Sequence, residues 1–350
     1  MSLGSYLRAA PKAELHVHLE GTVQPATLLA LAGRNGVALP CTTLDELRAW
    51  FRFRDFGHFL EVYGAISRCL QHADDFELIA SELAQSLASQ HVRYAEVGFS
   101  PGFFTRAGIP PAVYLDGLGR ARARARRELG VELAWIFDLG RAWHGGETQT
   151  RRWAGFTVDL AIEARNEGVV ALGLGGPEAG HPPEPFADLF ARGRAAGLHS
   201  APHAGEHAGP PSVRGALEAL CAERIAHGVR ASEDPDVVAE LARRRVVLDV
   251  CPTSNVRLGV YPDLAHHPLP RLLAAGVRLT INSDDPPLFG TSLNDEVALL
   301  DEPFHLELAT IDAMLLEAVR ASFEPEPARG AREAQHRAEL DALKRVHLSE

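Results

Sequence analysis

The chain has 350 residues, of which 46% are hydrophobic and 23% charged, and this composition excludes a largely disordered or fibrous protein. Its formal net charge of −11 opposes binding to the phosphate backbone of nucleic acids. No apolar run approaches the roughly 18 residues that a membrane helix needs, and Lys12 and Glu14 precede any signal-peptide core. We therefore expect a cytoplasmic protein that binds neither nucleic acid nor a membrane.

Short β-branched runs alternate with helical patterns along the whole chain, as is typical of repeated β-α units and a parallel sheet. We identify eight such runs: Glu14–Leu19, Arg93–Phe99, Glu132–Leu139, Val169–Leu174, His199–His203, Arg224–His227, Val246–Cys251 and Arg278–Asn282. Eight strands with intervening helices predict a (β/α)8 TIM-type barrel. We expect one domain over residues 1–350, with a catalytic core at about 10–325 and a helical tail at about 326–350.

Helical patterns fill the segments between these runs, and we predict helices over Pro25–Asn35, Ala73–Gln90, Gly155–Glu167, Pro211–Ala222 and Pro235–Arg244. About 70 residues separate the first run from the second, far more than a usual connection, so we expect extra helices at the barrel mouth. Part of this segment, residues 50–60, is rich in aromatic side chains. They are interpreted either as a lid over a ring-shaped substrate or as anchors for those helices.

Two histidines, His16 and His18, stand in the first predicted strand. Side chains alternate across a strand with period two, so both imidazoles face the same side and can reach one ion. Other charged or imidazole residues also fall where predicted strands end, and active sites of this barrel lie at that rim. Together these residues are His16, His18, His203, Glu206, His227, Asp284 and Asp285.

Three imidazoles and a carboxylate form a nitrogen and oxygen ligand set that suits zinc and leaves a position for water. Glu206 is then available as a proton shuttle, and His227 and Asp284 are placed to orient hydroxide. The fourth predicted strand and the turn after it, residues 169–178, contain no lysine that could bridge two metals, which favours a mononuclear site. No Pro-Cys-X-X-Cys motif of the small cytidine-type deaminases occurs. The set predicts metal-assisted attack of water on an electrophilic carbon.

Six motifs in register resemble those of the adenosine deaminase family of amidohydrolase barrels, and the resemblance covers almost all of residues 10–325. They are residues 11–21 (PKAELHVHLEG), 175–178 (GGPE), 203–206 (HAGE), 224–228 (RIAHG), 251–255 (CPTSN) and 282–286 (NSDDP). The resemblance implies a zinc-dependent hydrolytic deaminase of 6-aminopurines with one Zn2+ per chain.

The resemblance also implies a role for each matching residue. Zinc would be held by His16, His18, His203 and Asp284. Glu206 would protonate purine N1 while hydroxide attacks C6, and His227 would orient or help deprotonate the attacking water and stabilise charge. Asp285 would hydrogen bond to N7, and the main-chain N–H of Gly176 would meet N3.

One departure bears on the substrate. Adenosine deaminases commonly carry Asp where this chain has Glu20, a position expected to meet the ribose hydroxyl. In this position the chain resembles adenine deaminases and 6-aminodeoxyfutalosine deaminases, which also carry Glu. Residues 53–63 and 289–293 further resemble the 6-aminodeoxyfutalosine deaminases. We therefore expect a 6-aminopurine nucleoside, either adenosine or a 5′-modified adenosine such as 6-aminodeoxyfutalosine. The alternatives are a deaminase of free adenine and a non-catalytic nucleoside-binding barrel.

Overall fold

The strands lie where the sequence predicts them, apart from small shifts at their ends. A computed structural model describes residues 2–142 and 145–348. In this part of the chain the strands are β1 Lys12–His18, β2 Val92–Phe99, β3 Glu132–Gly140, β4 Val169–Gly175, β5 His199–Ser200, β6 His203–Ala204, β7 Arg224–His227, β8 Val247–Val250 and β9 Arg278–Ile281. All pairings are parallel and follow chain order, β1 to β5 in one sheet and β6 to β9 in another. The strands are almost entirely buried, as expected where helices cover a parallel sheet.

The fifth predicted strand, His199–His203, is in fact two short segments, β5 and β6. The break falls at Pro202, which has no main-chain N–H to donate to a neighbouring strand. Hydrogen bonds nevertheless continue on both sides of the break, because Ala201 N donates to Leu172 O at 2.9 Å and Ala226 N donates to Pro202 O at 3.0 Å. The two segments therefore occupy one strand position between β4 and β7.

Main-chain hydrogen bonds also join the first strand to the segment that follows the last one. His18 N donates to Asp284 O at 3.0 Å, and Asp284 N donates to His16 O at 3.1 Å. These bonds form a parallel bridge between Val17 and Asp284. The fold is therefore the expected (β/α)8 TIM-type barrel. The bridge joins the first strand to the segment after the last strand, beside the His16 and His18 side chains.

The α-helices in the described residues are α1 Leu3–Ala9, α2 Pro25–Arg34, α3 Leu44–Trp50, α4 Phe56–Arg68, α5 Ala73–Ser89, α6 Pro101–Arg106, α7 Pro111–Arg124, α8 Gly146–Glu163, α9 Ala187–Ala195, α10 Pro210–Glu218, α11 Pro235–Arg244, α12 Pro252–Arg257, α13 Leu269–Ala274, α14 Pro286–Phe289, α15 Leu293–Leu299, α16 Leu308–Ala321 and α17 Ala328–His347. None of them is long and apolar enough to cross a lipid bilayer.

The predicted extra helices are present. Helices α2 to α5 fill the long connection between β1 and β2, and α17 forms the C-terminal tail. One predicted helix is longer than expected, since α8 begins at Gly146 rather than at Gly155. Residues 147–152 are all polar and carry no helical pattern of apolar side chains, so the sequence did not reveal the first two turns. The division into one domain with a core and a tail stays a prediction.

Candidate metal centre and active site

Every predicted metal-ligand residue lies at the carboxyl end of a strand or directly after it. His16 and His18 are in the last three residues of β1, and Asp284 follows β9. His203 is in β6, which forms the carboxyl end of the strand position shared with β5. Asp284 has a positive φ of 63°, as does His227 with 60°. Non-glycine residues rarely adopt this left-handed conformation, and where they do it is often at a functional site. In this structure the left-handed conformation directs the side chains of both residues toward the imidazoles carried by β1 and β6.

Four donor atoms meet at this point. His18 Nε2 lies 3.3 Å from His16 Nε2 and 3.2 Å from His203 Nε2. Asp284 Oδ1 is 3.4 Å from His16 Nε2 and 3.4 Å from His18 Nε2. Ligand atoms about 2.0–2.2 Å from a tetrahedrally coordinated ion lie roughly 3.3–3.6 Å apart. The spacing of the four donors therefore fits a single four-coordinate metal ion.

The charges around the cluster also fit a cation. Burial and the neighbouring imidazoles lower the pKa of His203 well below its usual value, so this ring is neutral, as a metal ligand must be. Burial opposes ionisation of Asp284, but the imidazoles of His16 and His227 outweigh it and lower the pKa of this carboxyl. His203 thus offers a neutral imidazole and Asp284 an ionised carboxylate. The hydrogen bond to Asp138 and the nearby Asp285 and Asp284 carboxyl groups outweigh burial and raise the pKa of His18 to about 10, so this ring would give up its proton on binding a metal ion. The residues are therefore a candidate metal site.

Glu206 is held beside the cluster by a turn that another carboxylate organises. Glu178 accepts main-chain hydrogen bonds from Gly205 at 2.5 Å, Glu206 at 3.0 Å, His207 at 2.7 Å and Ala208 at 2.9 Å. Burial would raise the pKa of Glu206, but the adjacent His227 and His207 lower it below the usual value. This carboxylate is therefore positioned within a buried site and ready to accept a proton.

Asp285 is buried at the opposite side of the same site, against the main chain of Gly21. A Cβ atom on Gly21 would lie 1.5 Å from Asp285 Oδ1, so no other residue fits there. Burial and the adjacent Asp284 carboxylate raise the pKa of Asp285 well above its usual value. Oδ1 has no hydrogen-bond partner in the structure. A carboxyl group in this state can donate a hydrogen bond to an acceptor on a ligand.

Glu20 lies close to the site but not on its surface. Its side chain is fully buried, and Oε1 accepts a hydrogen bond from Ser100 N at 3.0 Å. Burial raises the pKa of Glu20 to about 7. Ser100 and Tyr63 line the neighbouring cavity, whereas Glu20 does not. The structure therefore places Glu20 behind the wall at which we expected a sugar contact.

A cavity of about 540 Å3 opens from the donor cluster, a volume within the range of small-molecule sites. His18, His203, Glu206, His227, Asp284, Asp285, Gly175 and Gly176 line its polar end. Away from the cluster its wall is apolar, formed by Phe56, Phe59, Leu60 and Phe103. Among the described residues that line the cavity, Arg106 is the only Arg or Lys. The aromatic segment at residues 50–60 thus contributes to the cavity, and Phe56 and Phe59 stack on each other with ring centroids 5.8 Å apart.

Sequence reasoning missed three polar residues of the site. Asp138 in β3 lines the cavity, with Oδ2 3.5 Å from His18 Nδ1. It stands near a strand end, so the rule that found the other residues could have found it. Glu178 and Asn255 lie in motifs that were recognised but given no role. The sequence indicates a role for these two residues less clearly, because a Glu after a glycine turn and an Asn on a short helix are ordinary structural residues.

Comparison with known proteins agrees with this geometry. The family model described as adenosine deaminase matches residues 11–333. Aminodeoxyfutalosine deaminase of Streptomyces avermitilis is 42% identical over 322 residues, which are 92% of this chain and 88% of that protein. Adenine deaminase of Cupriavidus taiwanensis is 42% identical over 340 residues, 97% of this chain and 94% of that protein. The crystal structure of an amidohydrolase from Burkholderia ambifaria with bound Zn has a TM-score of 0.89 and 28% identity, covering 99% of this chain and 95% of that one. The chain is a hydrolase, and it belongs to the adenosine deaminase family.

Proposed function

We propose that this protein is a zinc-dependent deaminase that converts a 6-aminopurine nucleoside and water to the 6-oxopurine and ammonia. The observation that carries the proposal is the junction of the four-donor cluster with the 540 Å3 cavity, because proton-transferring and hydrogen-bonding groups meet there. Glu206, Asp285 and Gly176 line the cavity around the cluster. Family membership supports an enzyme rather than a non-catalytic binding protein.

His16, His18, His203 and Asp284 would hold one zinc ion, since imidazole and carboxylate donors at this spacing suit Zn2+. Zinc supplies Lewis acidity that makes water nucleophilic near neutral pH. Asp284 is itself oriented by Ser254, whose Oγ donates a hydrogen bond to Oδ2 at 2.7 Å. Such supporting contacts fix the ligand before the ion binds.

The other residues around the cluster would transfer protons and bind the substrate and the attacking water. Glu206 would transfer a proton to purine N1, which makes C6 more electrophilic, and later help the departing amino group to leave as ammonia. Asp285, protonated, would donate to N7, and the Gly176 main-chain N–H would donate to N3. Gly176 has a φ of +93°, a conformation that glycine adopts without strain. His227 would bind the attacking water.

The extent of the cavity supports a nucleoside rather than a free base. Beyond the polar end, the apolar wall of Phe56, Phe59 and Phe103 leads to Arg106. A purine base alone would leave this region filled with water, whereas a nucleoside with an aromatic or anionic 5′ substituent would bury it. The 5′-modified substrate 6-aminodeoxyfutalosine therefore fits better than adenosine.

Free adenine is the second candidate, and the position of Glu20 favours it. The side chain that was expected to meet ribose is not among the residues that line the cavity, and its Oε1 accepts a hydrogen bond from Ser100 N at 3.0 Å. The two relatives with named substrates do not separate the candidates, since both are 42% identical to this chain.

A direct comparison of substrates tests the proposal. We expect kcat/KM to be highest for 6-aminodeoxyfutalosine, lower for adenosine and lowest for adenine. In this order each substrate is smaller than the one before it and makes fewer contacts with the apolar wall. Loss of the aminopurine absorbance would be followed with zinc-loaded protein. A kcat/KM for adenine above those of both nucleosides would overturn the nucleoside assignment and leave the deaminase reaction in place.

Glu20→Ala tests whether this residue supports the sugar end of the site. If Glu20 holds a ribose contact, directly or through Ser100 and Tyr63, the variant should lose about 1–3 kcal/mol of kcat/KM for a nucleoside, the cost of an unpaired polar group. Adenine turnover should hardly change. Glu20→Gln is the matched control that keeps the volume and the acceptor for Ser100 N. Equal losses for adenine and adenosine would assign Glu20 to the fold or the metal site instead.

A further inference from the structure

A series of buried hydrogen bonds connects the main chain behind the site with the imidazole of His227. Leu269 N lies 3.2 Å from His267 Nδ1. His267 Nε2 lies 3.1 Å from Asn255 Oδ1, and Asn255 Nδ2 lies 3.1 Å from His227 Nδ1. The side chains of His267, Asn255 and His227 are all buried. Asn255 belongs to the 251–255 motif, for which the reaction itself requires no role.

The first bond in the series determines the direction of the others. A main-chain N–H can only donate, so His267 Nδ1 accepts and the neutral ring carries its proton on Nε2. Burial lowers the pKa of His267 to about 3, which keeps the ring neutral. His267 Nε2–H then donates to Asn255 Oδ1. The amide orientation of Asn255 follows, with Nδ2 donating to His227.

We propose that Asn255, oriented by His267, is a positioning residue that holds His227 in the tautomer with its proton on Nε2. Because His227 Nδ1 accepts from Asn255, the neutral ring has its only N–H at Nε2. Nε2 lies 3.7 Å from Glu206 Oε1 and 3.7 Å from Asp284 Oδ2, so this N–H faces the space between the two carboxylates.

The tautomer assigns a definite task to His227, and this part of the proposal rests on the proposed function. An imidazole whose Nε2 carries a proton donates a hydrogen bond to the attacking water and to the oxygen that becomes bound to C6. It does not take a proton from that water. The proton must therefore go to a neighbouring carboxylate. Of the two that face His227 Nε2, Asp284 belongs to the donor cluster, whereas Glu206 does not and also lines the substrate cavity.

Nitrogen NMR of the zinc-loaded protein tests the tautomer without any assay of activity. Histidine labelled with 15N gives long-range 1H–15N patterns that distinguish a ring protonated at Nδ1 from one protonated at Nε2. The His227→Gln spectrum identifies the signals of His227. We expect Nε2 to carry the proton and Nδ1 to be unprotonated. Protonation of His227 at Nδ1 in the unsubstituted protein would overturn the proposal.

Two substitutions at Asn255 separate a tautomeric role from simple packing. In Asn255→Asp both side-chain oxygens accept, so His227 must place a proton on Nδ1, and the 15N pattern should change accordingly. In Asn255→Ala the bond is lost but neither tautomer is imposed. We therefore expect kcat to fall further in Asn255→Asp, on the order of 10²- to 10⁴-fold, than in Asn255→Ala, with KM and zinc content nearly unchanged.

A packing role predicts the opposite order, because Asp fills the volume of Asn whereas Ala leaves a cavity. A larger loss of kcat in Asn255→Ala, or an unprotonated Nδ1 in Asn255→Asp, would contradict the proposal. Asn166→Asp, at an exposed position before β4, is the matched control and should behave as the unsubstituted protein. Failure of the proposed function would appear as no deamination by any of these proteins, while the NMR result would still decide the tautomer.

Discussion

Glu206→Gln is expected to retain zinc and lose turnover by at least about 10²- to 10⁴-fold. The amide fills the volume of the carboxyl group but cannot take up a proton or deliver one to the purine ring, and proton transfer by a positioned side chain contributes an acceleration of that size. Glu206 lies next to His227, with Oε1 3.7 Å from Nε2, and is not among the four closely spaced donors. Steady-state kcat and zinc content of the variant are the two measurements.

Glu218→Gln, an exposed residue of α10, provides the matched control and should leave both quantities unchanged. Near-normal turnover in Glu206→Gln would remove this residue from the mechanism. Loss of zinc together with turnover would instead place Glu206 among the ligands. Binding of the 6-oxopurine product, measured by calorimetry, should persist in the variant, because the contacts expected from Asp285 and Gly176 are unchanged.

The position of the site could be predicted because the residues that can bind a metal or transfer a proton fall where the predicted strands end. In a parallel barrel the residues at the carboxyl ends of strands form one rim, so His16, His203 and Asp284 meet although they are far apart in the chain. Their residue types stand out against the apolar strands that carry them. The His-X-His spacing then supplied the direction of two side chains, and the structure confirms that both face the same point.

The parts that could not be predicted depend on contacts between loops. Glu178 accepts hydrogen bonds from four successive main-chain N–H groups, a contact that follows from where two loops lie and leaves no periodic signal. The same holds for Asn255, which meets His227 only after β7 and α12 are in place. Glu20 is buried against Ser100, a contact that depends on packing and that spacing alone does not encode.

Asp284→Ala and His16→Ala should each lower metal content and activity together. Each removes one of the four donors, which are linked by distances of 3.2–3.4 Å through His16 and His18, and the remaining three do not complete a tetrahedral set. Removing the Lewis acid forfeits several kcal/mol of transition-state stabilisation, so the residual rate should be at least about 10³-fold lower. Asp284→Ala should lose more than His16→Ala, because Asp284 also faces His227, with Oδ2 3.7 Å from Nε2.

Elemental analysis of the purified proteins checks the metal content, with His266→Ala at an exposed position as the matched control. We expect close to one zinc ion per chain in the unsubstituted protein and in the control. Treatment of the unsubstituted protein with a chelator should abolish turnover, and added Zn2+ should restore it. Two tightly held ions per chain would contradict the mononuclear site, because the four donors form one cluster. Full activity after the metal has been removed would refute the metal-assisted mechanism, in which the ion makes water nucleophilic at neutral pH.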